Sequence, residues 1–283
     1  MSLRNIRNSH PLAYAAAACA LAVVCFNAVP LDALDPLAAS LAQTVLAALC
    51  MFGVLAAFDP ALLRGRQRGS ASTPSFPLAC GALLLTALAA GIASALLLPS
   101  NGPGGGFRSP IDPAASPERV ALFLLLCLAT GAFEEALFRG VVFKGFSAAL
   151  AKEGRKRPVL VAALVQALVF GLLHVTTSTS LAPEASGAVA AVQTAVKPLQ
   201  AALFGLVMAG VFARTGSLWL LVGVHAAFNA LSETPLFVLT GSLPSTYATG
   251  QPADLVVLLF TTALLVPLTV SAARFLKRAD QPG

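Results

Sequence analysis

Apolar runs of bilayer length recur along this chain, and they leave it very few architectures. Residues 11–31, 37–58, 76–98, 117–143, 158–180, 188–213, 216–232 and 254–275 each form an apolar stretch. Their lengths match the roughly 17–25 residues needed to cross a hydrocarbon core as a helix. Only 11% of the 283 residues are charged, against about 25% in a soluble domain. A soluble Ala/Leu-rich helical protein has no need of runs this long. Backbone N–H and C=O groups in lipid must be satisfied within the chain, so spans of this kind are helices. The expected fold class is all-α: a polytopic integral membrane helical bundle of about eight transmembrane helices, one transmembrane domain over residues 1–283. The first run follows Arg4 and Arg7, as in a signal peptide. It is long for such a segment and lacks a clear small-residue cleavage site, so it reads as a retained first helix.

Charge bias tests this segmentation. If the N-terminus is inside and the spans alternate, Arg4, Arg7, Arg64, Arg66, Arg68, Lys144, Lys152, Arg155, Lys156, Arg157, Arg214, Arg274, Lys277 and Arg278 fall on or near the cytoplasmic side. Only Arg108, Arg119 and Lys197 fall outside. Basic residues concentrate in cytoplasmic loops, so the expected topology is N-in and C-in. The net charge of +6 then reflects membrane orientation and implies no nucleic acid partner. All five cysteines lie in apolar runs and none forms a CxxC pair, so they read as small buried apolar residues rather than a disulfide or thiolate framework.

Against this background the stretch GAFEEALFRG at residues 131–140 stands out. It places Glu134, Glu135 and Arg139 after fourteen uncharged residues, Val120 to Phe133. The other acidic residues, Glu233 among them, read as loop or span-end positions. His10 belongs to the N-terminal tail, whereas His174 and His225 lie inside spans, so five ionisable residues within spans are expected: Glu134, Glu135, Arg139, His174 and His225. Such residues are costly in lipid and are usually functional or paired. Glu135 and Arg139 are four apart and share a helix face, while Glu134 points about 100° away from Glu135. Phe170 and His174 are also four apart, as are His225 and Asn229. Each group has a structural reading: a locking ion pair for Glu135 and Arg139, and interhelical hydrogen bonds for His174, His225 and Asn229. Their joint occurrence on three helices points to a common polar cavity.

A glutamate and a histidine together can act as a general base on water. A second histidine with an asparagine can stabilise a developing oxyanion. Equally, Glu134, His174 and His225 can be read as three ligands of a zinc ion with water as the fourth. Both versions remain open at this point. No HExxH and no GxSxG occurs, and no Asp lies mid-span, which removes zincin, nucleophile-elbow and aspartyl-protease readings.

The ordered set EEALFR, FGLLH and HAAFN resembles the CAAX-protease and bacteriocin-processing family of intramembrane proteases. That family is also known as Abi or type II CAAX prenyl endopeptidase, and it includes lysostaphin-resistance-like proteins. The resemblance spans residues 117–232, 116 of the 283 residues, as a catalytic core. It implies a multi-span endopeptidase of the plasma membrane whose partners are the lipid bilayer and a peptide or protein substrate: a prenylated CAAX-like protein or a bacteriocin or leader peptide. By the same resemblance Glu134 activates water with His174, His225 and Asn229 stabilise the oxyanion, and Glu135 and Arg139 order the site. The resemblance leaves zinc open. The competing functions are a non-catalytic membrane immunity or scaffold protein and a proton-coupled transporter; the absence of internal repeats weighs against the latter.

Depth sets one condition. At about 1.5 Å per residue, Glu134 lies about 26 Å along a helix starting at Pro117 outside, and His174 about 24 Å along one starting at Pro158 inside. The two meet only if the helices tilt or the fifth span begins in the cytoplasm. The second option places the site nearer the cytoplasmic side. Residues 176–197 are hard to divide between loop and membrane.

Overall fold

The computed structural model describes residues 7–27, 34–65, 75–97, 115–175, 186–241 and 249–280, and the statements below concern these. The elements are α1 (Pro11–Asn27), α2 (Pro36–Phe58), the short α3 (Pro60–Leu63), α4 (Ser75–Leu97), α5 (Pro117–Glu135), a π-helical segment (Ala136–Phe143), α6 (Lys144–Lys152), α7 (Pro158–Leu172), α8 (Gly187–Thr215), α9 (Leu218–Thr240) and α10 (Pro252–Ala279). No strand occurs among the described residues. Five helices are long and apolar enough to cross a bilayer: Pro36–Phe58, Leu78–Leu97, Pro117–Lys152, Gly187–Thr215 and Pro252–Ala279. The apolar helices α1 and α7 are shorter, and α9 has the length but carries His225, Asn229 and Glu233. The protein is a helical membrane bundle, as the apolar runs require.

Local sequence sets the helix ends. Asp35 caps α2 by accepting from Leu37 N at 3.0 Å, with Pro36 in the first turn. The Asp35 carboxyl is held below its usual value, chiefly by the hydrogen bond from Arg119. Ser116 caps α5, followed by Pro117 and Glu118, the combination expected of a helix start. Gly216 and Gly241 end α8 and α9 in the left-handed conformation, with φ of 62° and 67°, which glycine adopts at no steric cost.

Side-chain contacts sort the helix ends into two sets. At one end Asp59 binds Arg7 and Lys144, Lys152 reaches Ser9 O, and Asp280 accepts from Val159 N and Leu160 N at 2.9 Å. Both chain ends therefore meet the basic turn at 152–158. At the other end Arg119 pairs with Asp35, Ser186 N bonds Gly250 O, and Gln193 bonds Gly250 N and Gln251 O. Exposed Leu85, Leu96, Leu125 and Leu168 give the outside the apolar character that hydrocarbon, not water, tolerates.

Three expected boundaries change. The fourth span continues to Lys152, and over Ala136–Phe143 it widens into a π-helix whose eight residues are all buried. The fifth span was expected to reach residue 180, but α7 stops at Leu172, and residues 176–185 lie outside the described residues. The seventh was expected to end at residue 232, before Glu233 and Pro235, but α9 runs to Thr240. A proline removes an N–H and frees the carbonyl four residues earlier, here Leu231 O. Gly91 of α4 packs directly on that carbonyl, where a Cβ would clash, so the break is absorbed by a close helix crossing. The first span was expected at 11–31; α1 covers Pro11–Asn27, and residues 28–31 lie outside the described residues.

The depth condition is met, since Glu134 and His174 line one cavity. Asp280, just past the 28-residue α10, binds the first turn of α7. Twenty-eight residues span about 42 Å, longer than the roughly 30 Å hydrocarbon core. The start of α7 thus lies level with the end of this long helix, and His174 reaches the same cavity as Glu134.

Candidate active site

Helices α4, α5, α7, α8, α9 and α10 line a cavity of about 260 Å³. Glu134 reaches it from α5, Phe170 and His174 from the end of α7, Lys197, Gln200 and Phe204 from α8, and His225, Asn229 and Glu233 from α9. Glu135 and Arg139 do not line it. They are fully buried behind it, so the adjacent glutamates serve different surroundings, as their 100° separation on the helix requires.

His225 joins the two sides. Its Nδ1 lies 2.7 Å from Glu135 Oε1, and its Nε2 lies 3.5 Å from Glu134 Oε2. Glu135 Oε1 also meets Arg139 Nη1 at 2.9 Å, an ion pair without hydrogen-bond alignment. Arg139 Nη2 donates to Gly205 O at 3.4 Å, and its guanidinium stacks over the Phe170 ring at 5.1 Å. Phe170 also packs edge-on against Phe138 and contacts His174. Phe204 packs edge-on against His225 at 4.9 Å. A buried carboxylate, a guanidinium and aromatic rings thus fix the imidazole plane from behind, leaving Nε2 toward the cavity.

The close crossing of α5 and α9 has a sequence origin. A Cβ on Gly131 would stand 3.0 Å from both Ala226 N and Val222 O. Glycine lets the two backbones approach, which brings Glu134 and Glu135 within reach of His225 one turn on. The π-helical widening begins directly after Glu135; such segments are frequent at functional sites.

His174 differs from expectation in its setting. It lies just past the end of α7 rather than within a continuing span, and its Nδ1 is 2.7 Å from Phe170 O. A carbonyl accepts only, so Nδ1 carries the proton and Nε2 is the free nitrogen. Asn229 lines the cavity one turn from His225. The structure therefore brings Glu134, His174, His225 and Asn229 to one cavity and sets Glu135 and Arg139 behind it. Glu134, which has no partner along its own helix, finds one across the bundle in His225.

Zinc requires a gathered ligand set. Among the described residues no three His, Cys, Asp or Glu side chains form one. Glu134, His174 and His225 share the cavity wall without closing into a ligand triangle, so these residues as placed do not fit the ion, and no step below is routed through it.

Three polar residues were missed. Lys197 was expected outside and Glu233 at a span end, yet both line the cavity within α8 and α9. Lys197 Nζ donates to Gln200 Oε1 at 3.1 Å, and Lys197 and Glu233 attract each other. The expectation of five ionisable residues within spans was thus two short. The signal was present: His225, Asn229 and Glu233 follow one another at four-residue spacing along a single face. Gln166, one turn before Phe170, is fully buried, and neither amide atom has a partner.

A family model, type II CAAX prenyl endopeptidase Rce1-like, matches residues 116–231. Those residues form an Rce1-like domain. It begins at the Ser116 cap of α5, ends within α9, and contains all six residues singled out from the sequence. Glu233 lies just beyond the matched stretch of the Rce1-like domain, and Lys197 lies inside it. No curated protein and no solved structure matches the chain. The long apolar helices make this an integral membrane protein, and residues 116–231 within it are similar to that family.

Proposed function

We propose that the protein is an intramembrane endopeptidase that hydrolyses a peptide bond with water activated by Glu134. The observation that carries this reading is the division of labour around His225. Glu134 faces the cavity 3.5 Å from Nε2, while fully buried Glu135 holds Nδ1 at 2.7 Å. Glu134 removes a proton from water as the oxygen attacks the carbonyl carbon. The carbonyl oxygen gains negative charge, and donors aimed at it lower the barrier. His225 in its protonated form donates Nδ1–H to Glu135 and Nε2–H into the cavity. Two carboxylates, Arg139 and that imidazolium sum to zero charge, a balanced set for a buried site. The Asn229 amide supplies a second donor. When the C–N bond breaks, the proton on Glu134 passes to the leaving amine, giving a carboxylic acid and an amine. His174, with Nε2 free, accepts a hydrogen bond from the attacking water.

The substrate in this reading is a prenylated CAAX-like protein or a leader or bacteriocin peptide reaching the cavity from the bilayer or its surface. His225 lies seven residues from the start of α9 at the basic end, about 10 Å. Basic loops mark the cytoplasmic face, so the reacting groups belong to the cytoplasmic half of a plasma membrane with both chain termini inside. The decisive experiment assays purified protein in lipid nanodiscs against farnesylated and unmodified CAAX peptides. Glu134→Gln should lose cleavage while keeping the wild-type melting profile. Full cleavage by that variant would remove Glu134 from the chemistry. An unchanged cellular phenotype without cleavage by either protein would point instead to an immunity or scaffold role.

A further inference from the structure

A second cavity of about 330 Å³ lies on the lipid-facing side of the bundle between α4, α8 and α10. It takes no part in the site above. Its volume falls within the range of small-ligand pockets. Room comes from small side chains, Ala79 and Ala82 on α4 and Ala272 on α10, together with Gly210 of α8. Leu78 and Ser271 on its rim are exposed, so it opens outward rather than into the bundle. Its walls run from Val207 to Arg214 on α8 and from Leu268 to Phe275 on α10, seven residues or about 10 Å along the bundle axis. Both helices descend together toward the basic end.

One charge closes this apolar groove. Arg214, in the last turn of α8, stacks its guanidinium over the Phe275 ring at 5.1 Å. Among the described residues no carboxylate lies within ion-pair distance of it. The stack holds the planar cation at the end of the groove nearest the basic end of the bundle, the side that charge bias assigns to a membrane surface. Guanidinium pairs with phosphate through two parallel N–H···O bonds. An apolar slot about 10 Å long capped by such a cation is complementary to one acyl chain joined to an anionic headgroup.

We propose that this groove is a binding site for an anionic membrane phospholipid, its acyl chain between α4, α8 and α10 and its phosphate on Arg214. Its occupant is a lipid of the bilayer, not a chain carried by a substrate. The inference stands independently of the peptidase reading, and its test reads lipid, not turnover.

The test uses the full chain in detergent, with retained lipid measured by native mass spectrometry. Phosphatidylglycerol and phosphatidylcholine with identical acyl chains compete at equal concentration. The wild type should prefer phosphatidylglycerol by about five-fold, the effect of one basic residue at an anionic membrane surface. Arg214→Gln should remove that preference. Ala82→Phe, which fills the slot, should reduce retention of both lipids. Arg274→Gln, a basic residue at the same end but outside the groove, should leave the ratio unchanged. An unchanged ratio in Arg214→Gln, or an equal loss in Arg274→Gln, would overturn the proposal. So would displacement of neither lipid in Ala82→Phe, or retention of a farnesylated peptide in the groove in place of phospholipid.

Discussion

The two sides of α5 at residues 134 and 135 meet opposite surroundings. Glu134 looks into a cavity shared with His174, His225 and Asn229. Glu135 looks away from it into a packed region with Arg139, Phe170 and Gly205, where nothing is accessible. The same side-chain type, one residue apart, thus sits once where water and substrate fit and once where only a permanent partner fits. The lesson concerns cost. A buried charge is tolerable when paired and hydrogen-bonded, and removing one partner leaves the other stranded. A cavity-wall charge has room for water, so losing it need not unfold the protein.

Neutralising each carboxylate in turn is the sharpest way to break this contrast. Glu134→Gln should lower turnover about 10²- to 10⁴-fold, the usual contribution of a general base, with little change in thermal unfolding. Comparable turnover in that variant would end the distinction on the cavity side. Glu135→Gln should act mainly on the fold, costing about 3–5 kcal/mol because Arg139 is left buried without its counter-charge. Replacing both partners together, Glu135→Leu with Arg139→Met, should recover part of that loss, as measured by detergent-monitored unfolding. If Glu135→Gln melts like the wild type, the buried side is not the anchor described here.

Smaller effects sharpen the same picture. Gly131→Val pushes a side chain into Ala226 N and Val222 O and should cost about 1–3 kcal/mol. Because it separates α5 from α9, turnover should fall as well. Loss of stability with normal turnover would show that the crossing does not position Glu134 against His225. Gln166→Leu removes a buried amide with no partner while keeping its approximate shape. Such a change is expected to be neutral or stabilising by about 1 kcal/mol. A clear destabilisation would reveal a buried water bridging Gln166 to the Arg139 side.

Much of the architecture is legible in the sequence because a bilayer imposes length and polarity directly. The apolar runs, the Ser116-Pro117-Glu118 start signal and the one-sided distribution of Arg and Lys are read without any knowledge of packing. The motif residues are legible for a related reason: an ionisable side chain within a span is expensive and therefore conspicuous. Lys197 and Glu233 escaped because polarity near the end of an apolar run looks like the membrane surface. Only the packing of α9 at Leu231 and Pro235 against Gly91, and its continuation to Thr240, shows that Glu233 remains inside. The stop of α7 at Leu172 was hidden for the opposite reason, since HVTTSTS is neither apolar enough for a span nor rich enough in Gly and Pro to mark a break.

By itself, then, the sequence determined that this chain is a helical membrane protein, that both its ends carry the same basic bias, and that Glu134 and Glu135 face different directions. Helix periodicity and the energetics of charge in lipid suffice for those conclusions. Tertiary structure alone decided that His225, rather than His174, touches both glutamates, that α5 widens after Glu135, and that an apolar groove ends on Arg214. Lipid and the interior of a bundle are equally apolar, so hydropathy cannot tell which face of a helix meets a neighbour. That choice falls to glycine contacts, aromatic packing and the pairing of buried charge, which exist only once the helices are assembled.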